Sequence, residues 1–152
     1  MDIHWRWQPF ADISGREMHE ILAVRQEVFV VEQQCVYRDA DELDLAARHL
    51  TGQTVDGRIV AYARLIAPGA HFAEPSIGRV LTRMDIRRRG IARRVVSLAI
   101  DECNRVYPAH DIRIGAQLYL KKFYVSFGFF QVGSEYTEDG IEHIEMIRPR
   151  RA

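Results

Sequence analysis

The strongest chemical signal in the sequence is a run of arginines that ends at a small-residue helix start. Residues 79–94 contain seven arginines and one acid, Asp85. Gly90, Ile91 and Ala92 stand at the predicted start of a long helix, where backbone N–H groups have no intrahelical acceptor. These donors, the positive end of the helix dipole and the guanidinium groups attract anions such as phosphate. On the residues alone, a phosphate site, a solvated basic helix start and a nucleic-acid patch all stay open.

Helix signals indicate which elements position this run. Ser14 and Glu17 form a capping-box signature before a helix that is expected to end near Val30. A broad apolar face predicts the long helix over about residues 89–106, and Gly128 is a natural stop for a shorter helix over about residues 118–127.

Strand and turn signals complete the pattern. Asp56-Gly57 and Asp139-Gly140 each lie between β-rich segments and predict tight hairpins. The resulting order is strand, helix, three strands, helix, strand, helix and two strands. This order favours a mixed α/β (α+β) fold with helices on both faces of a sheet of about seven strands, and residues 77–116 form its parallel strand–helix–strand part.

Composition excludes several classes of protein. The chain has 152 residues, a formal net charge of zero and 47% hydrophobic residues, so we expect one folded domain over residues 1–152 rather than a polycation that coats nucleic acid. Cys35 and Cys103 are too few for a disulfide scaffold, and no His/Cys spacing predicts a metal site. No signal peptide or long apolar segment is evident, so we expect a cytoplasmic protein that binds no membrane.

Three stretches resemble the GNAT N-acyltransferase superfamily. The segment Arg87-Arg-Arg-Gly-Ile-Ala92 is similar to its Arg/Gln-x-x-Gly-x-Gly/Ala signature, and residues 115–129 resemble its later motif, which ends in Phe-Tyr-x-x-x-Gly-Phe. Residues 25–33, followed by Tyr37, Asp41, Asp44 and His49, resemble the ElaA-like subgroup. The resemblance covers nearly the whole chain. It implies a GNAT-like, mostly antiparallel sheet that splays apart at the parallel pair within residues 77–116.

The resemblance also implies roles for individual residues. Backbone groups of Leu81 and Thr82 are expected to meet the pantetheine arm of acetyl-CoA, and Gln117 to contact it from the start of the next helix. The residues expected to bind its pyrophosphate are Arg87, Arg88, Arg89, Gly90, Ile91 and Ala92. Tyr124 is expected to protonate the departing thiolate, although by composition alone a tyrosine between phenylalanines is more often a core residue.

An amine acceptor must lose a proton, so a general base or a water chain is needed. The sequence offers six candidates and does not choose among them: Glu32, Asp41, Asp44, His49, His143 and Glu145. The first four are also expected to contact the acceptor, although Glu32 could simply pair with Arg25. A second acidic run over residues 135–145 is either a solvated hairpin or a surface near a cationic acceptor. Whether the basic and acidic stretches meet across one cleft is a question for the structure.

The leading hypothesis is an acetyl-CoA-dependent N-acetyltransferase that acts on a primary amine carried by a small molecule, a peptide or a protein. One alternative is a synthase-like acyltransferase that makes acyl-homoserine lactones, since that group shares an N-terminal Arg-x-x-Val-Phe-type motif. Another is a non-catalytic acyl-CoA-binding module. A homodimer through the C-terminal hairpin is a further expectation.

Overall fold

The structure is a computed structural model that describes residues 1–150. Its strands are β1 (His4–Pro9), β2 (Arg48–Gln53), β3 (Ile59–Ile66), β4 (Ser76–Thr82), β5 (Ile112–Gln117), β6 (Phe130–Glu138) and β7 (Ile141–Arg148). Its α-helices are α1 (Gly15–Gln26), α2 (Ile91–Val106) and α3 (Lys121–Val125). The order of elements predicted from the sequence is confirmed.

The seven strands form two antiparallel sheets that separate at the predicted splayed pair. One sheet has the order β1-β2-β3-β4 and the other β5-β7-β6. The N–H of Arg113 donates to the carbonyl of Pro75 at 3.0 Å, where β4 and β5 begin. Beyond that bond no ladder joins β4 to β5 within residues 1–150, so the two strands diverge. One edge of β4 therefore faces an opening between the sheets.

Helices cover both faces of the first sheet, because β3 is buried along its whole length and needs cover on each side. On one face Val24 and Ile21 of α1 pack with Tyr62. On the other face Val95 of α2 packs with Ala63. Further along α2, a larger apolar cluster joins that helix to the second sheet. The sequence prediction of helices on both faces is thus confirmed.

The structure contains the predicted turn and helix caps. Asp139 and Gly140 both have positive φ (51° and 78°), which matches the tight turn predicted between β6 and β7. Ser14 accepts a hydrogen bond from the N–H of Glu17 at 3.1 Å and caps α1 as expected. The start of α2 differs slightly from the prediction: Gly90, at φ 74°, is the cap and the helix begins at Ile91.

Two irregular features lie beside the opening between the sheets, and the sequence predicts neither. After α1 the chain forms a wide π-helical turn over residues 27–32, where the sequence predicts an α-helix to Val30. In β4, the register against β3 shifts between Tyr62 and Arg64, and Arg79 has φ 51°. This β-bulge re-aims the backbone at the free edge of β4. Both features are of the kind found at functional sites.

Candidate functional site

The larger of two clefts, with a volume of about 510 Å³, is bounded by β4, the start of α2 and the segment around α3. It contains most of the residues expected to bind acetyl-CoA: Leu81, Thr82, Arg87, Arg88, Gly90, Ile91, Ala92 and Gln117. Arg89 is exposed and does not line this cleft. The structure therefore gathers eight of the nine residues and leaves Arg89 outside.

The start of α2 has the features of an anion site. Gly90 caps the helix in the left-handed conformation and nothing lies within 4 Å of the position a Cβ would take. An approaching phosphate would therefore meet backbone N–H groups and little side-chain bulk. Arg88, also with positive φ (67°), lines the same cleft. These groups fit the diphosphate of an acyl-CoA.

Arg87 has a different environment from the one expected for a free phosphate ligand. Its guanidinium donates to both carboxylate oxygens of Glu32 at 2.6 and 3.1 Å, and also to the backbone carbonyl of Thr82. The alternative pairing of Glu32 with Arg25 is wrong, because Arg25 binds aspartates elsewhere. The carbonyl of Thr82 is likewise occupied by Arg87.

Three of the other six arginines of residues 79–94 have internal partners: Arg79, Arg83 and Arg93. Arg83 binds the carboxylate of Glu27, and Arg93 lies over the ring of Phe127 at 4.5 Å. Within residues 1–150, no ion pair engages Arg88 or Arg89. The positive charge available to a ligand is therefore smaller than the sequence implies and is concentrated at the start of α2.

A smaller cleft of about 140 Å³ lies on the other side of the same opening. Its walls carry polar and ionisable groups from four separate regions, including Gln33, Cys35, Tyr37, Arg79, Glu138, Asp139 and His143. The acidic hairpin turn thus reaches the opening, while Glu32, from the first acidic run, lies in the larger cleft. The basic stretch and the acidic stretches therefore both contribute residues to these two adjoining clefts. Fewer acids take part than the sequence indicates.

Tyr124 lies where the two clefts join, since it lines both. Its side chain is 7% exposed and packs edge-on against Phe123 and Phe129, with ring centroids 5.2 and 5.8 Å away. Burial, together with the nearby Tyr119, raises the pKa of Tyr124 above its ordinary value near 10. The phenol is therefore protonated at neutral pH, which is the state a general acid requires. Tyr124 is both a core residue and a lining residue.

Four other residues line both clefts: Phe29, Gln33, Val80 and Gln117. Of these four, the sequence predicted a site role for Gln117. Gln117 donates to the side-chain oxygen of Gln33 at 3.3 Å. This contact connects β5 to the end of the π-helical turn across the junction. The turn brings Phe29 and Gln33 there, and no residue pattern in the sequence announces it.

Asp41, Asp44 and His49, expected to contact the acceptor, lie in neither cleft. Asp44 binds Arg25 at 2.7 Å and Arg64 at 2.8 Å, and Asp41 binds Arg64 at 2.6 Å. The structural reason is that residues 39–44 pack inward, where their carboxylates neutralise arginines of α1, β3 and β4. We therefore do not retain these three residues as acceptor ligands.

His49 is held in the same network. Its Nε2 lies 2.9 Å from the carbonyl of Asp44, so that nitrogen carries a proton, and Nδ1 accepts from the hydroxyl of Tyr62 at 2.6 Å. Burial lowers the pKa of His49 below its ordinary value. Both ring nitrogens are occupied and the ring is 1% exposed, so this histidine has no free basic site.

The remaining acidic candidate for a general base is also engaged. Glu145 binds Arg113 at 2.8 Å, and Arg113 binds Glu74 as well.

Within residues 1–150 no group of three or more His, Cys, Asp or Glu side chains is arranged to hold a metal ion. No helix in that range is long and apolar enough to cross a bilayer.

Comparisons with known proteins agree with this geometry. The family model for the acetyltransferase (GNAT) domain matches residues 12–148. The UPF0039 protein sll0451 of Synechocystis is 54% identical over 147 residues, covering 97% of this chain and 96% of that protein. Protein ElaA of Escherichia coli is 36% identical over 148 residues, covering 96% of each.

Two solved structures are similar over almost the whole chain. An acyl-CoA N-acyltransferase from Pseudomonas aeruginosa has a TM-score of 0.92 at 35% identity, with 97% of this chain and 99% of that chain covered. The crystal structure of Escherichia coli ElaA has a TM-score of 0.90 at 36% identity, with the same coverage. The overall fold described above is therefore shared with these proteins.

Proposed function

Because this chain belongs to the GNAT acetyltransferase family and its ElaA-like subgroup, and is an acyltransferase, we propose that it transfers the acetyl group of acetyl-CoA directly to a primary amine. The observation that carries the proposal is the junction of two clefts at Tyr124. One cleft offers backbone and arginine groups suited to a diphosphate. The other offers carboxylates suited to a cationic amine.

The donor is assigned to the larger cleft. The backbone N–H groups at the start of α2, with Arg88 beside them, would hold the diphosphate. The free edge of β4 at Leu81 would run along the pantetheine arm toward the bulge. In this arrangement the thioester would lie near the junction and the diphosphate at the outer end, where Gly90 is exposed.

The acceptor is assigned to the smaller cleft. Its volume of about 140 Å³ admits the amine-bearing end of an aliphatic chain rather than a bulky aromatic amine. Glu138 and Asp139 line it, whereas Arg79 is already paired with Asp39 at 2.8 Å. The unpaired charge facing the acceptor is therefore negative, which favours an ammonium group.

In this mechanism the amine attacks the thioester carbonyl within a ternary complex, and the carbon–sulfur bond breaks. Holding both substrates at one junction supplies the proximity that the reaction needs. Tyr124 gives its proton to the departing CoA thiolate. A second proton from the attacking nitrogen restores the phenol as the tetrahedral adduct collapses to the amide.

The test is release of CoA thiol, measured with a thiol-reactive dye, over a panel of amines grouped by charge. We expect turnover that requires both protein and amine, with cationic aliphatic amines the best acceptors. Tyr124→Phe removes the proton donor and keeps the ring, so we expect kcat to fall about 100-fold while the Kd for acetyl-CoA changes little.

Tyr107→Phe is the matched control, because Tyr107 is a half-buried tyrosine that lines neither cleft. This control is expected to keep its activity. Tight acetyl-CoA binding without turnover on any amine would contradict the proposal and favour the non-catalytic binding module. An equal loss in both tyrosine variants would contradict the role of Tyr124 alone.

A further inference from the structure

His143 lies on the wall of the smaller cleft, close to the point where the two clefts join. On β7 it is paired with Gln117 of β5 on one side and with Tyr136 of β6 on the other. Directly opposed residues of adjacent antiparallel strands project to the same face, with Cβ atoms about 5 Å apart. Gln117 lines both clefts. His143 is therefore the cross-strand neighbour of a residue at the junction where Tyr124 lies.

The surroundings of the imidazole fix which nitrogen is basic. Its Nδ1 lies 2.7 Å from the backbone carbonyl of Ile141. A carbonyl oxygen can only accept a hydrogen bond, so the proton of the neutral ring is on Nδ1 and the lone pair is on Nε2. Tyr136 stacks on the ring at 5.7 Å with an interplanar angle of 25° and holds its orientation.

The basic nitrogen lies beside an acid that is not already neutralised. Nε2 is 3.8 Å from a carboxylate oxygen of Glu138, beyond hydrogen-bond distance. Glu138 is exposed and, like His143, lines the smaller cleft. A proton taken up at Nε2 would therefore form an imidazolium that faces a carboxylate.

Each of the other five candidates for a general base has a partner, and Glu145, which keeps one carboxylate oxygen unengaged, lines neither cleft. Asp41 and Asp44 bind arginines, Glu32 binds Arg87 and Glu145 binds Arg113. Both nitrogens of His49 are hydrogen-bonded within the core. Among the six, His143 combines a free lone pair with a place on the wall of the opening.

We propose that His143 is the general base that removes a proton from the acceptor ammonium; this rests on the function proposed above. Nε2 takes one proton from the ammonium, and the resulting neutral nitrogen attacks the thioester carbonyl. The imidazolium later releases that proton to solvent. The second nitrogen-bound proton replaces the one that Tyr124 gives to the thiolate, so each turnover yields amide, CoA thiol and one free proton.

The pH dependence of this step involves every charged or titratable group around the smaller cleft: Cys35, Tyr37, Arg79, Tyr124, Tyr136, Glu138, Asp139 and His143. Burial raises the pKa values of Tyr37, Tyr124 and Tyr136, so these phenols stay protonated through neutral pH. Histidine is the residue type in this set that ordinarily changes charge between pH 5 and 8.

The experiment compares wild type, His143→Asn and His110→Asn in kcat/KM for the best amine as a function of pH. His143→Asn keeps an N–H that can donate to Ile141 and removes the basic nitrogen. We expect a loss of about 100-fold at pH 7, disappearance of the acidic limb of the profile and an acetyl-CoA Kd within about twofold of wild type. His110→Asn changes an exposed histidine and should match wild type.

A second variant guards against a folding defect. In His143→Ala, added imidazole should restore part of the activity in proportion to its neutral form, whereas it should not affect Tyr124→Phe. Wild-type kcat/KM with no acidic limb, or His143→Asn activity within threefold of wild type, would overturn the assignment while the proposed function stands. Absence of any amine-dependent thiol release by wild type would overturn both.

Discussion

Replacing Asp44 by Asn tests the largely buried ion-pair network that holds residues 39–44 against α1, β3 and β4. The network joins three arginines and three aspartates: Arg25, Arg64, Arg79, Asp39, Asp41 and Asp44. Its formal charge is zero. Asp44→Asn keeps the size of the side chain and leaves one uncompensated positive charge beside Arg25, whose side chain is fully buried.

The magnitude follows from the contacts of that carboxylate. It accepts from Arg25 at 2.7 and 3.2 Å, from Arg64 at 2.8 Å and from the N–H of Asp41 at 3.0 Å. These donors outweigh burial and lower the pKa of Asp44 from 3.8 to about 2, which corresponds to roughly 2 kcal/mol of stability. Removing one partner of a buried pair costs about 3–5 kcal/mol. We therefore expect Asp44→Asn to lose about 3 kcal/mol.

The assay is equilibrium unfolding by denaturant, supported by thermal melting. For a chain of this length, a loss of about 3 kcal/mol lowers Tm by roughly 6–12 °C. Because the pKa of Asp44 is lowered by folding, its contribution is complete above about pH 4 and is lost as the pH falls toward 2. The difference in stability between wild type and Asp44→Asn should therefore shrink over that range.

Asp85→Asn is the matched control. Asp85 pairs with Arg58 at 2.8 Å, about as short as the buried pairs, but both side chains are about half exposed, and such pairs contribute little to stability. If Asp44→Asn destabilises the protein no more than Asp85→Asn, or if its deficit is independent of pH between 4 and 2, the network is not a source of stability.

Two further predictions concern the donor cleft. Gly90→Glu places a carboxylate at the start of α2, so acetyl-CoA binding measured by calorimetry should weaken at least 30-fold. Gly57→Glu is the control, because Gly57 has a similar positive φ in the β2–β3 turn and the substitution imposes the same backbone cost. The control should leave the affinity for acetyl-CoA unchanged. Equal affinity in the two variants would contradict the placement of the diphosphate. Glu32→Gln removes a carboxylate from the cleft wall and loosens Arg87, so acetyl-CoA should bind several-fold more tightly; weaker binding would show that the pair instead shapes the site.

Local signals in the sequence predicted the framework of the site well. Gly90 caps α2 in the left-handed conformation and Asp139-Gly140 makes a tight turn because few other residue types adopt these backbone angles at low cost. The period of apolar residues likewise identified the buried face of α2. The helix cap, the tight turn and the buried helix face depend on residues close together in the sequence. They could therefore be predicted without a structure.

Pairings between distant residues could not be predicted in the same way. Asp44 was expected to contact the acceptor because it belongs to the acidic stretch over residues 32–44, yet it meets arginines 19 and 20 positions away. A count of charges gives no information on which of them neutralise one another in the core. The π-helical turn that carries Phe29 and Gln33 to the junction also has no distinguishing residue pattern.

The arrangement of the junction bears on whether acetyl transfer is direct or passes through the protein. Cys35 carries the thiol of the smaller cleft, and a thiol is the most nucleophilic group there that could accept an acetyl group. Its Sγ lies 3.0 Å from the backbone carbonyl of Asp139 and donates to it. This hydrogen bond directs the thiol hydrogen at the backbone of the hairpin turn. Because the thiol is engaged with the backbone and Tyr124 lines both clefts, direct attack by the amine remains the route that we propose.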